Sequence, residues 1–173
     1  MHELLLRPAT TADVPEFGRI DVATEEMFVD AGHPEFADGG TIPDDVAARA
    51  IAEDRITVAE LDGVVVGWVY VTRVEGELCI GQISVDPAAQ RTGVGTAMLR
   101  RVIEAARAAD EPSILLNTQS DVPWNQPWYE KFGFEVVPEQ RWTSGLRAIV
   151  SEQTGAGLDW TTRVHMRLVL ASR

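Results

Sequence analysis

A chain of 173 residues, 45% hydrophobic and 24% charged, is large enough to bury a substantial core as one domain. Its formal net charge of −12 argues against nucleic acid as the main partner, since phosphates call for a basic footprint. No apolar run approaches the roughly 20 residues needed to cross a bilayer, and a single cysteine, Cys79, excludes an internal disulfide.

In chain order, residues 3–7 predict a short first strand ended by Pro8. Thr10 with Asp13 three residues later marks a helix start, and a helix is expected over 12–29 with Phe17, Ile20, Val22, Met27 and Phe28 as its apolar contacts. Residues 31–40 hold Gly32, Pro34, Gly39 and Gly40 and predict irregular chain. Thr41 followed by Asp44 repeats the capping pattern, with Pro43 in the first turn of a helix reaching residue 52 or 53. Residues 56–60 and 64–72 are β-rich and separated by Asp62-Gly63, a hairpin signal, and Glu75-Gly76 turns into a strand over 77–85. These three strands predict an antiparallel meander. A helix over 96–109 ends before Pro112, and a buried strand follows over 113–118. Further elements are expected at 127–132 (helix), 135–137 (strand), 144–155 (helix) and 164–170 (strand). There are no internal repeats and no long linker, so the expectation is a single domain over 1–173. Met1-His2-Glu3 lacks a basic region ahead of Leu4-Leu5-Leu6, so a secretory signal is not expected and a cytoplasmic location is the simple reading.

Between the 79–85 run and the following helix stands Gln90-Arg91-Thr92-Gly93-Val94-Gly95. A helix N-terminus carries unpaired N–H groups and the positive end of the macrodipole. Glycines at Gly93 and Gly95 remove side chains that would hold a bulky anion away, so the loop is suited to a phosphate or pyrophosphate. Downstream lies Trp124-Asn125-Gln126-Pro127-Trp128-Tyr129-Glu130-Lys131-Phe132-Gly133-Phe134.

Together these segments resemble the GNAT superfamily of acyl-CoA-dependent N-acyltransferases. The loop matches the Gln/Arg-x-x-Gly-x-Gly/Ala pyrophosphate motif, Tyr129 and Gly133-Phe134 match the later tyrosine and Gly-Phe pair, and Val85-Asp86-Pro87 also looks like the family. Val122-Pro123-Trp124-Asn125 resembles a bacterial subgroup. The resemblance implies an α/β fold with a mixed, mostly antiparallel central sheet, its central strands splayed and flanked by helices. It implies acetyl-CoA as cosubstrate and an amine as acceptor. By resemblance, backbone groups of Ile83 and Val85 pair with the pantetheine amides. The N–H groups of Arg91, Thr92, Gly93, Val94, Gly95 and Thr96 hold the pyrophosphate. Arg91 supplies charge, aided by Arg100, Arg101 or Lys131. Asn125 either contacts the pantetheine arm or caps the short helix; it precedes Tyr129 by one turn, where two turns is the common family spacing. A homodimer is a further expectation from the resemblance.

Tyr129 is the expected catalytic group, donating a hydrogen bond or proton to the departing coenzyme A sulfur. With a thiol near ~8.5 and a phenol near ~10, full proton transfer needs no extreme shift. The acceptor amine must lose a proton, and Glu25, Glu26 and Glu77 are the carboxylates considered, Glu26 first. Gln82 stands mid-strand where a carboxylate would have been more suggestive. Phe28, Phe36, Trp124, Trp128 and Trp142 are candidates to line an amine pocket. Cys79 reads as a buried small hydrophobe, His33 as solvent-facing or substrate-binding, and His165 as a structural neighbour of the sheet. No residue spacing suggests a metal site. The expected reaction is direct transfer of an acetyl group to a primary amine, favouring a small molecule. A protein or peptide acceptor, an acyl-CoA-binding regulatory protein, and a nucleotide-binding module of another fold stand as alternatives.

Overall fold

A computed structural model describes residues 3–37 and 40–170, so expectations touching Met1, His2 and Gly39 lie outside the described residues. The strands are β1 (Leu4–Pro8), β2 (Ile56–Leu61), β3 (Val64–Val74), β4 (Glu77–Val85), β5 (Ser113–Gln119), β6 (Glu135–Val136) and β7 (Arg163–Val169). The helices are α1 (Val14–Asp30), α2 (Asp44–Ala52), α3 (Val94–Ala108), α4 (Gln126–Glu130) and α5 (Ser144–Gly155). One seven-stranded sheet has the order β1-β2-β3-β4-β5-β7-β6. Registers of β1 with β2, β2 with β3, β5 with β7 and β6 with β7 are antiparallel. Parallel registration of β4 with β5 comprises Leu78↔Ile114 and Cys79↔Leu115 among the described residues. The architecture is therefore mixed α/β with a mostly antiparallel sheet and flanking helices.

The chain forms two compact units. The first is Met1–Val71 with Gly81–Glu104, and the second is Thr72–Ile80 with Ala105–Arg173. In the first unit, Phe17 and Ile20 of α1 are fully buried with Ala47 and Ala50 of α2 and Ile56, Val58 and Trp68 of the sheet. Phe17 stacks on Trp68 with ring centroids 4.6 Å apart. Val22, expected among the apolar contacts of this helix, is instead 50% exposed. It stands one residue past Asp21, a step of about 100° around the helix, which carries it off the buried stripe. Gly67 of β3 matters by its missing side chain. A Cβ there would lie 3.0 Å from the Met98 side chain and from the Ser84 carbonyl, and 3.3 Å from Val94. The start of α3 thus packs directly on the sheet backbone. In the second unit, Cys79, Leu115, Val137 and Leu146 form a core flanked by Val74, Trp142 and Ile149.

Local signals placed most boundaries, with informative differences. Asp62-Gly63 and Glu75-Gly76 both turn with positive φ at both residues, as two-residue hairpins of this hand require. A 3-10 turn at Thr11–Asp13 precedes α1. The α2 helix is capped at Pro43, not Thr41, because the Thr41 hydroxyl donates to Asp21 at 2.7 Å. The α3 helix begins at Val94, two residues earlier than expected, directly after the positive-φ Gly93. His33, expected to face solvent, is 4% exposed, with Nδ1 2.9 Å from Glu35 and an edge-on contact to Phe36.

Asp13 ties β1 to the start of α1. It accepts from Arg7 Nη1 at 2.8 Å and Nη2 at 2.9 Å, and from the Thr10 amide at 2.7 Å. The Arg7 guanidinium, which also pairs with Glu60, is the main cause holding the Asp13 carboxyl down to about 2. A depressed carboxylate stabilises the fold above its unfolded value near ~4, and the contribution is lost as pH falls toward the folded value. Asp13→Asn is therefore expected to cost about 1–2 kcal/mol at pH 7. In urea titrations the gap from wild type should shrink steadily between about pH 4 and pH 2; a gap independent of pH would show that the charge is not the cause.

Candidate active site

The glycine loop lies wholly in the first unit. Ahead of it, the Asp86 carboxylate accepts from the Ala88 amide at 2.9 Å and from Arg19 Nη1 of α1 at 2.5 Å. The same arginine donates through Nη2 to the Val65 carbonyl at 2.8 Å, so strand, helix and loop entry share one guanidinium. Within the loop, the Thr92 hydroxyl donates to the Ala89 carbonyl at 2.5 Å, and Gln90 Nε2 reaches Met27 Sδ at 2.9 Å. Arg91 and Gly93 take φ of 61° and 91°, which turns the chain into α3. Ala97 N–H closes on the Gly93 carbonyl at 2.9 Å. The amides of Val94, Gly95 and Thr96 therefore head the helix ahead of its i→i−4 ladder, at the positive end of the macrodipole. Arg91, Thr92 and Gly93 are exposed, Val94 is buried, and Gly95 and Thr96 are half-buried. Ile83 and Val85, both half-buried, lie on β4 beyond its register with β5.

Tyr129 belongs to the second unit. Its amide donates to the Asn125 carbonyl at 3.1 Å, and its own carbonyl accepts from Phe132 at 2.9 Å. Trp128 meets its ring edge-on at 4.9 Å and Phe134 at 5.8 Å. The Gly133 φ of 91° lets the chain leave α4 and bring Phe134 back against this ring. Burial pushes the phenol above its ordinary value, so at neutral pH it keeps its proton. Asn125 is the N-cap residue of α4 through its carbonyl, without a side-chain capping bond.

Other candidates take different places. Glu26 is exposed on α1. Glu77 accepts from Arg167 Nε at 2.7 Å and from the Ser113 hydroxyl at 2.5 Å, a structural commitment inside the second unit. Burial, with the charge of Glu77, pushes the Cys79 thiol up to about 12, which leaves it without thiolate character. His165 is 1% exposed, its Nε2 3.1 Å from the Leu146 carbonyl, and burial lowers it to about 4. Trp142 packs on the second core and donates to the Val137 carbonyl at 2.9 Å, a structural seat in place of a pocket wall. Phe28 and Phe36 pair at 4.9 Å. Among the described residues no cluster of three or more His, Cys, Asp or Glu is placed to hold a metal ion.

Sequence reasoning passed over Asp21. It is 5% exposed on α1 and accepts from Thr41 Oγ1 at 2.7 Å and Trp68 Nε1 at 3.2 Å. Desolvation is the main cause that raises its carboxyl above the usual range, and Ser84 and Gln82 of β4 favour its charged form. The available signal was an acid directly after Ile20 and four residues after Phe17, on the apolar face of α1.

Fold and loop together define a mixed α/β protein in which a glycine loop joins a sheet strand to the N-terminus of α3. The sequence profile of the acetyltransferase (GNAT) family matches residues 22–134, more than half of the chain. The chain belongs to that family and is an acyltransferase by class. N-acetylglutamate synthase from Neisseria gonorrhoeae, complexed with coenzyme A and N-acetyl-glutamate, superposes with a TM-score of 0.71 at 18% identity. That match covers 98% of this chain and 35% of the synthase, so the chain spans about a third of it. Rv2747 from Mycobacterium tuberculosis, also bound to coenzyme A, has a TM-score of 0.68 at 20% identity over 96% of this chain and 99% of its own. The ribosomal-protein-S18-alanine N-acetyltransferase from Escherichia coli has a TM-score of 0.68 at 17% identity, over 99% of this chain and 96% of its own. At these identities the likeness is one of fold.

A Cβ at Gly93 meets nothing within 4 Å, so only the backbone conformation resists substitution there. Gly93→Ala is expected to cost about 1 kcal/mol, lowering the thermal midpoint by about 2–4 °C. Gly93→Asn should fall between the two, because asparagine tolerates this region better. Equal midpoints for all three in a calorimetric scan would remove the conformational argument.

Proposed function

We propose that residues 1–173 act as one acetyltransferase domain that moves an acetyl group from acetyl-CoA to a primary amine, in the first instance that of a small molecule. The observation that carries the reading is that the family match over 22–134 contains both the glycine loop and the Tyr129, Gly133-Phe134 motif. The coenzyme A named in the structures of similar fold supports the cosubstrate. In this reading the amides of Arg91, Thr92, Gly93, Val94, Gly95 and Thr96 hold the pyrophosphate, the Arg91 side chain adds charge, and backbone groups of Ile83 and Val85 pair with the pantetheine arm, with Asn125 contributing a further polar contact. The protein works in the cytoplasm, and a homodimer is its assembly.

Transfer is direct. The amine lone pair attacks the thioester carbon, the tetrahedral adduct collapses, and the C–S bond breaks to release coenzyme A as a thiolate. The Tyr129 phenol donates a hydrogen bond to that sulfur as charge builds. Its raised affinity for its own proton favours this donor role over complete proton transfer. A covalent acyl-enzyme is disfavoured because Cys79, with its thiol near about 12, is a poor nucleophile. A lysine-like amine at ~10.4 must be deprotonated first, at a cost of about 4–5 kcal/mol at pH 7. Two carboxylates of α1, the exposed Glu26 and the buried Asp21, compete for that proton.

Acetyl-CoA-dependent thiol release across polyamines, aminoglycosides, amino acids and an alanine-terminated peptide tests the reading. Strong release with one class is expected; saturable acetyl-CoA binding with silence across all of them would leave a binding role only. Tyr129→Phe is expected to lower kcat about 100-fold with acetyl-CoA affinity held. Unchanged turnover in that variant would remove Tyr129 from the chemistry.

A further inference from the structure

Asp21 is a charge-bearing side chain that nothing in the family motifs employs. It is buried within the first unit, yet its Oδ2 is reached by the hydroxyl of Thr41, an exposed residue. The other oxygen, Oδ1, accepts from the Trp68 indole at 3.2 Å, and that ring is clamped by stacking on Phe17. On β4, the buried Ser84 accepts from Gln82 Nε2 at 2.8 Å. Thr41 is held as well. A Cβ on Gly18 would lie 3.7 Å from Thr41 Cγ2, so the methyl sits over α1 while the hydroxyl points at the carboxylate. A threonine used merely to cap α2 would have turned its hydroxyl toward that helix.

We infer that Thr41 and Asp21 form a two-residue proton relay that deprotonates the acceptor amine. The inference rests on the acetyltransferase reading above. The incoming ammonium gives a proton to Thr41 Oγ1 while Thr41 passes its own to Asp21 Oδ2. The freed nitrogen lone pair attacks the thioester carbon, and Asp21 ends the step as a carboxylic acid that returns its proton to solvent through Thr41. A carboxylate held in a poorly solvated site is a stronger base than one in water. The groups hydrogen-bonded to it from other elements, Thr41 and Trp68, are uncharged, and so are Ser84 and Gln82 of β4. On its own helix, Arg19 is paired with Glu16 and Asp86, and Glu25 stands one turn further along.

The test compares wild type with Asp21→Asn, Thr41→Val and Thr41→Ser, using the amine from the thiol-release panel that gives the strongest signal. Readouts are the pH profile of kcat/KM, acetyl-CoA affinity by calorimetry, and the thermal midpoint. Expected are an acid limb in wild type, its loss in Asp21→Asn and Thr41→Val with a fall in kcat of about 100-fold, unchanged acetyl-CoA affinity, and recovery in Thr41→Ser, which restores the hydroxyl. A folded Asp21→Asn or Thr41→Val that keeps wild-type turnover and profile overturns the relay, and so does transfer of the acid limb to Glu26→Gln alone. Should Asp21→Asn not fold, Thr41→Val decides by itself, because its site is at the surface. Failure of the parent reading looks different: wild type then acetylates no amine on the panel, and the relay falls with it.

Discussion

One buried carboxylate organises the first unit. Placing Asp21 at 5% exposure costs solvation, and the fold offsets it by aiming polar hydrogens from β3 and the segment before α2 at its oxygens. The consequences spread outward. Trp68 must turn its indole N–H toward α1, which lays its ring against Phe17. Its neighbour Gly67 must then be bare, because the start of α3 presses on that point of the sheet. The N-terminal end of α3 and the placement of α1 are thus set by two successive residues of β3.

Loop entry follows the same logic on a smaller scale. Arg19 reads a carbonyl of β3, the Asp86 carboxylate and Glu16 at once. An arginine does this well because its guanidinium presents several donors in one plane. Asp86 in turn orders the turn at Pro87–Ala89 by accepting from Ala88. The exposed stretch Arg91, Thr92 and Gly93 is therefore suspended between two anchored ends. With a net charge of −12, the protein's overall field works against any anionic ligand, so oriented backbone amides would have to supply the attraction locally.

The second unit relies on polar groups that are satisfied and inert. Glu77 joins Arg167 and Ser113, giving β4, β5 and β7 a shared ion pair. His165 is kept neutral by burial between Trp142 and Trp160, with centroids 5.1 Å and 4.5 Å away, and its N–H donates to Leu146. Tyr129 there combines burial, aromatic clamping, a polar hydroxyl and a place in a family motif. The contrast between inert His165 and candidate Tyr129 comes from motif context, since both are buried.

What the sequence determined by itself is whatever neighbours along the chain decide. The Asp62-Gly63 turn, the α5 boundaries, the glycine loop and the Tyr129 motif are set over a few residues, and each was legible. The α3 start shifted by two residues because Gly93, a local feature, ends the loop earlier than the alanine-rich pattern suggests. Tertiary structure decided which polar groups are buried. Thr41 was read as a cap because Asp44 lies three residues on, yet its hydroxyl found Asp21, 20 residues back. His33 went inside with Glu35 and Phe36 against the expectation from its irregular segment. Asp21 went unnoticed because its partners come from elsewhere in the chain, the Trp68 indole from 47 residues away. A short-range pattern reports conformational preference, whereas the cost of burying a charge is met only by donors that folding brings to it.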